Sequence, residues 1–86
     1  VETRVRFDPA ASASSTQLEV ITRDRPGLLY RISTVLSAHG CNIEVVLVDT
    51  QGQKAIDVFY VTRQGAPLEP EWQAAIEKEL RRVLES

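Results

Sequence analysis

Hydrophobic and polar side chains alternate along the first part of the chain, and this pattern predicts two short strands. In residues 2–8, Val5 and Phe7 alternate with arginines, a period of two that is typical of a half-buried strand. Residues 17–22 repeat the alternation. The small polar stretch between them, residues 9–15, predicts a loop that joins the two strands.

The period changes at Leu28, where apolar side chains begin to recur at spacings of three and four. This spacing predicts a helix that ends at Gly40, a residue suited to a left-handed helix end. Pro26 fits the first helical position and Arg25 the N-cap, because proline needs no amide partner there. The predicted apolar stripe consists of Leu28, Leu29, Ile32, Val35, Leu36 and His39.

The second half of the chain predicts two further strands and a second helix. Residues 42–50 and 54–62 are rich in β-branched and aromatic side chains, and both of their faces are mostly apolar. We therefore expect both strands to be well covered. The second helix begins at Pro70, and Glu77 precedes Arg81 by four residues, the favourable order for an ion pair.

The predicted order is strand, strand, helix, strand, strand, helix. It indicates the α+β class, with a four-stranded antiparallel sheet and two helices on one face. This is a ferredoxin-like sandwich in which residues 2–8 take the edge that the usual last strand would occupy. The pattern thus predicts a single domain over residues 1–86, with a circularly permuted sheet.

Composition narrows the functional classes. The chain has 86 residues, 43% of them hydrophobic, and ten basic against twelve acidic side chains give a net charge of −2. This balance predicts no nucleic-acid or membrane partner. One cysteine and no secretory signal favour a cytoplasmic location, and the first residue, Val1, suggests a piece of a longer protein.

The sequence contains few residues that could form a catalytic or a metal site. His39 and Cys41 form the one candidate nucleophile pair, but they flank Gly40 at a helix end with no third group to orient the imidazole. The alternative, which we favour, is that His39 completes the helix stripe and Cys41 is a small buried hydrophobe. No metal or other cofactor is expected. Phe59 and Tyr60 are adjacent and point to opposite sheet faces, so they cannot form one base-stacking platform.

One motif stands out from this pattern. Asp24-Arg-Pro-Gly-Leu-Leu29 precedes a helix that ends in glycine, and Asn42-Ile43 opens the next strand. Over residues 17–84 the chain resembles an ACT domain, the amino-acid-sensing regulatory module. The string from Asp57 to Thr62 and the extra strand 2–8 resemble the uridylyltransferase-like ACT-repeat proteins. That resemblance implies a non-catalytic domain of a larger nitrogen-metabolism enzyme, a nucleotidyltransferase, with glutamine as the effector.

The residues of the motif have the chemistry that an amino acid requires. The start of the helix offers unpaired N–H groups to a carboxylate, and Gly27 allows close approach to the backbone. Asp24 suits the ammonium, and Asn42 supplies both a donor and an acceptor. In the ACT family the asparagine of this motif contacts the ligand. The predicted ligand-binding residues are Asp24, Arg25, Pro26, Gly27, Leu28, Leu29, Asn42 and Ile43.

A structural interpretation of the same residues stays open. Asp24 is also suited to cap the helix, Gly27 to allow helix–strand packing, and Asn42 to form a turn. On that interpretation the domain is an interaction module without a small-molecule ligand. Either way, the two-sided apolar strand 43–48 predicts a homodimer or pairing with a tandem ACT domain. Arg25 is expected to be exposed in both cases.

Overall fold

Four antiparallel strands and two helices form the fold that the pattern predicts. The computed structural model describes residues 1–85; the last residue of the predicted domain, Ser86, lies outside the described residues. The sheet order is β1-β2-β4-β3, and every neighbouring pair is antiparallel. The strands are β1 (Arg4–Asp8), β2 (Thr16–Arg23), β3 (Cys41–Gln51) and β4 (Lys54–Arg63), and the helices are α1 (Leu28–Ala38) and α2 (Pro70–Leu84).

The core lies between the helices and one face of the two central strands. Burial alternates along β2 and β4, because successive side chains point to opposite faces. The helices contribute the other half of the core from their apolar stripes, but the prediction is wrong for Leu29 of the α1 stripe, which is 38% exposed. The side chains with essentially no exposure are Leu18, Val20, Ile32, Leu36, Phe59, Val61, Ile76 and Leu80.

β1 occupies the edge of the sheet that the prediction assigned to it. Val5 lies opposite Val20 and is buried, and Phe7 lies opposite Leu18 and packs against the core. The chain crosses from β1 to β2 through residues 9–15. The extra strand therefore completes the sheet, as the sequence predicted.

The start of α1 differs from the prediction. Gly27, with φ of 78°, is the N-cap, and Leu28 is the first helical residue, so Pro26 and Arg25 do not hold the predicted positions. The amide of Leu28 donates to the carbonyl of Arg25 over 3.3 Å. Proline followed by a left-handed glycine forms a type II turn, and this turn, rather than a capping side chain, starts the helix.

β3 also differs from the prediction. Among the described residues it is an edge strand paired to β4 alone, and every residue from Asn42 to Gln51 is exposed. Val45, Val46, Leu47 and Val48 are between 43% and 55% exposed. The expectation that both strands of this hairpin are covered is wrong for β3, because the helices lie over the centre of the sheet.

Candidate functional site

A cavity of about 230 Å³ lies where the β2–α1 loop passes over the ends of β3 and β4. It has room for a ligand the size of a single amino acid, below the roughly 300–1,000 Å³ of pockets for larger ligands. Five of the eight predicted ligand residues line it, and Pro26 forms the turn beneath them. The lining residues are Asp24, Arg25, Gly27, Leu28, Leu29, Tyr30, Val48, Thr50, Ala55 and Asp57.

The first turn of α1 presents unpaired amides to this cavity. The earliest bond of the helix runs from the amide of Arg31 to the carbonyl of Gly27, over 3.0 Å. Among residues 1–85, the amides of Leu29 and Tyr30 have no acceptor, and no side chain caps the helix. These N–H groups point out of the helix start, where the helix dipole is positive. The arrangement is suited to a carboxylate.

Asp24 holds the loop against the sheet through its backbone. Its amide donates to the carbonyl of Gln53 over 2.8 Å, which ties the loop to the β3–β4 hairpin. Its carboxylate is exposed and does not cap α1, so the capping interpretation of Asp24 is wrong. The side chain remains available at the mouth of the cavity.

Arg25 is less exposed than predicted. Its Nη2 donates to the carbonyl of Leu84 at the end of α2, over 2.9 Å. Its Nε is buried and has no partner among the described residues. The expectation of an exposed arginine is wrong, because the side chain crosses from the loop to the end of α2.

Asp57 is a polar cavity residue that was not among the predicted ligand-binding residues. It is 1% exposed, and its Oδ1 has no hydrogen-bond partner among residues 1–85. Burial raises the pKa of the Asp57 carboxyl, and the neighbouring Asp24 carboxylate raises it further. A signal was present in the sequence. Asp57 alternates with Ala55 and Phe59 on the buried face of β4, where a charged side chain is unusual without a partner.

The structure does not bring Asn42 and Ile43 to this cavity within one chain. Both lie at the start of β3, whereas the cavity meets β3 at Val48 and Thr50. From Asn42 to Thr50 the strand advances roughly 25 Å. Asn42 lies opposite Thr62 of β4, on the sheet face away from the helices, and an irregularity between Ile43 and Val45 separates it from the rest of β3.

His39 and Cys41 do not form a nucleophile pair in this structure. The imidazole Nδ1 of His39 lies 2.8 Å from the carbonyl of Val35, and its ring stands edge-on to Trp72. Burial raises the pKa of the Cys41 thiol, with Arg63 opposing the shift. A nucleophilic cysteine needs a lowered pKa, so the surroundings of Cys41 favour the packing interpretation.

Comparison with known families decides the affiliation. The ACT domain profile matches residues 16–84, which include five of the six elements and the whole cavity. The chain belongs to the ACT-domain family. Domains of this family are regulatory and in general bind amino acids.

The relatives of this ACT domain are bacterial enzymes. It is 42% identical, over 94% of its length, to the bifunctional uridylyltransferase/uridylyl-removing enzyme of Streptomyces coelicolor. The enzyme of the same name from Nitrobacter winogradskyi is 42% identical over the full chain, and that from Azospirillum brasilense is 48% identical over 71% of it. The chain spans only 10%, 10% and 6% of these enzymes. No helix among residues 1–85 is long and apolar enough to cross a bilayer.

Proposed function

We propose that this ACT domain is the regulatory amino-acid-binding part of a larger cytoplasmic uridylyltransferase/uridylyl-removing enzyme, with glutamine as its effector. The observation that carries the proposal is the cavity at the start of α1, where unpaired amides face a space of amino-acid size. The assignment to this parent enzyme is based on the relatives. The choice of glutamine is based on the resemblance to uridylyltransferases of nitrogen metabolism. Catalysis belongs to other parts of the parent protein.

The ligand carboxylate binds at the helix start. Two amide donors and the helix dipole favour an anion there, and charge-assisted hydrogen bonds contribute roughly 1.5–3 kcal/mol each. Gly27 leaves the approach open, since a Cβ built on it would have no atom within 4 Å. Asp24 lies at the mouth of the same cavity and offers an acceptor to the ammonium.

Asn42 and Ile43 join the site from a second copy of the domain. β3 has one free edge, and an antiparallel pairing centred on Val46 would bring the Asn42–Ile43 segment of the partner alongside the end of β3 that contains Val48 and Thr50. Thr50 lines the cavity. Pairing of two β3 strands would therefore place the Asn42–Ile43 segment of each copy beside the cavity of the other. Within one chain this segment is too far from the cavity to contribute.

Leu29→Glu tests the cavity directly. Leu29 is 38% exposed and lies in the first turn of α1, so a carboxylate there competes with the ligand while favouring the helix dipole. Calorimetry with L-glutamine should show at least tenfold weaker binding for Leu29→Glu. Leu29→Gln, which has nearly the same shape without the charge, is the matched control and should bind more tightly than Leu29→Glu.

Asn42→Ala tests the contribution of the second copy. Asn42 is exposed, so its loss should leave the melting temperature nearly unchanged while weakening binding about tenfold. An equal mixture of Asn42→Ala and Leu29→Glu chains should regain tight sites, because each mixed dimer has one intact cavity facing an intact Asn42. If the two variants exchange subunits and the mixture does not regain tight glutamine binding, Asn42 does not contribute to the site of the partner.

The second candidate function is an interaction module without a ligand. The exposed apolar run Val45–Val48 favours it, because such a surface is typical of a protein interface. A dimer that binds none of the twenty amino acids, with an unchanged melting temperature at millimolar glutamine, would favour this function over sensing.

A further inference from the structure

We propose that Asp57 is the receptor for the primary ammonium of the bound amino acid, a role that rests on the proposed function. The carboxylate oxygen Oδ1 is buried, unpartnered and part of the cavity wall. Asp24, at the mouth, is then the outer of two carboxylates that face the same positive charge. This arrangement selects amino acids over acids of the same shape that lack the ammonium.

The neighbours of Asp57 in the sheet cannot satisfy its carboxylate. Val20 lies opposite it on β2, and Val48 lies opposite it on β3. Ala55 and Phe59 flank it on the same face of β4. A buried carboxylate without a partner is strongly disfavoured, because the lost hydration is not replaced. A cation in the cavity removes this penalty.

The other polar groups around the cavity agree with a zwitterionic ligand. Asp24 comes from the β2–α1 loop, Arg25 from the same loop, and Tyr30 from α1. Among residues 1–85, the buried side-chain atoms without a partner are Nε of Arg25 and Oδ1 of Asp57, and both residues line this cavity. One carries a positive and the other a negative charge, which matches the two charged groups of an amino acid.

The ligand also reverses the electrostatics at Asp57. In this structure, burial and the Asp24 carboxylate raise the pKa of the Asp57 carboxyl. An ammonium between the two carboxylates favours the charged form and lowers that pKa. Binding therefore releases protons in the pH window between the lowered and the raised pKa, and affinity falls as the pH falls through the raised pKa.

Calorimetry of the 86-residue chain with L-glutamine and N-acetyl-L-glutamine tests the assignment. The wild type should bind glutamine at least tenfold more tightly than the acetylated compound, whose amide has replaced the ammonium. Asp57→Asn should weaken glutamine binding at least tenfold while leaving the acetylated compound unaffected. Asp8→Asn, at the end of β1 and outside both the cavity and β3, is the control and should behave as wild type.

The outcomes separate this assignment from the proposed function. Equal glutamine affinity in Asp57→Asn and wild type, together with weak binding by Leu29→Glu, would overturn the role of Asp57 and leave the amino-acid site intact. Absence of binding by the wild type to any of the twenty amino acids would overturn both. Should Asp57→Asn fail to fold, wild-type calorimetry in buffers of different ionisation enthalpy decides: proton release below neutral pH is expected, and no proton transfer contradicts the assignment.

Discussion

Asp57 has a consequence for stability that is independent of any ligand. Its pKa is raised in the folded chain, so between the ordinary and the raised pKa the folded state binds more protons than the unfolded state. Stability contributed by the protonated form is therefore lost as the pH rises through this window. The sign is opposite to that of an aspartate in a salt bridge.

Asp57→Asn should remove this pH dependence. We expect the variant to be more stable than wild type at neutral pH, and the difference to shrink as the pH falls and to level off below about pH 3, where Asp57 is protonated in both states. Urea denaturation at a series of pH values measures it, with Asp49→Asn as the exposed control. A difference that stays constant with pH would show that the Asp57 carboxyl is not perturbed by folding.

Gly27 and Gly65 form a matched pair for separating backbone strain from binding. Their φ values are 78° and 77°, and a Cβ on either would meet no atom within 4 Å. Alanine at each should cost a similar amount, roughly 1–2 kcal/mol of left-handed strain. Only Gly27→Ala should also weaken glutamine binding, because Gly27 lines the cavity. Thermal melts and calorimetry on both variants check this; equal effects on binding would remove Gly27 from the site.

At the scale of the elements, β1 is the strand whose contribution is easiest to isolate. Val5 is 6% exposed and faces the core, whereas the adjacent Arg6 is exposed. Val5→Ala should lower the free energy of unfolding by roughly 1.5–3 kcal/mol, and Arg6→Ala should change it little. Chemical denaturation measures both. Truncation of residues 1–15 should cost more, roughly 3–5 kcal/mol, because Phe7 is lost as well.

The helices and strands were predictable from the sequence because the spacing of their apolar residues reflects which side of each element is buried. The alternation of Leu18 and Val20 and the stripe through Ile32 and Leu36 both reflect a core that covers one side of each element. β3 lacks that signal. Its sequence has apolar residues on both faces, and this pattern does not distinguish a covered strand from an exposed edge strand. Its exposure depends on where the helices lie, which is a property of the whole sheet.

The candidate site was predictable only where its chemistry is local. Arg25, Pro26 and Gly27 specify a turn within a few residues, so the loop half of the cavity was visible in the sequence. The separation of Asn42 from that loop follows from the direction of β3, which the motif does not encode. The role of Asp57 could not be predicted from the sequence. Its carboxylate lacks a hydrogen-bond partner because the residues opposite it, Val20 and Val48, are apolar, and they come from two other strands.

For the molecule as a whole, the exposed face of β3 determines the expected assembly. A free strand edge with apolar side chains is a template for pairing with a second chain. Val46→Lys should prevent that pairing, because two lysines would meet at the centre of the proposed interface. Sedimentation at high micromolar concentration should show a dimer for wild type and a monomer for Val46→Lys. Ser37→Lys, on the exposed side of α1, is the control; a monomeric wild type would contradict the interface.

The bond from Arg25 to Leu84 makes the end of α2 a reporter of cavity occupancy. The last carbonyls of a helix lack partners within it, and Arg25 supplies one from the wall of the cavity. A bound carboxylate that attracts the guanidinium withdraws this donor, so the final turn of α2 should fray when the cavity fills. Hydrogen exchange at the amides of residues 82–84 should therefore become faster with glutamine, while β2 is unchanged; equal rates would mean that Arg25 keeps its bond. By this route, a small molecule bound at one end of the sheet would alter a helix terminus that it never touches.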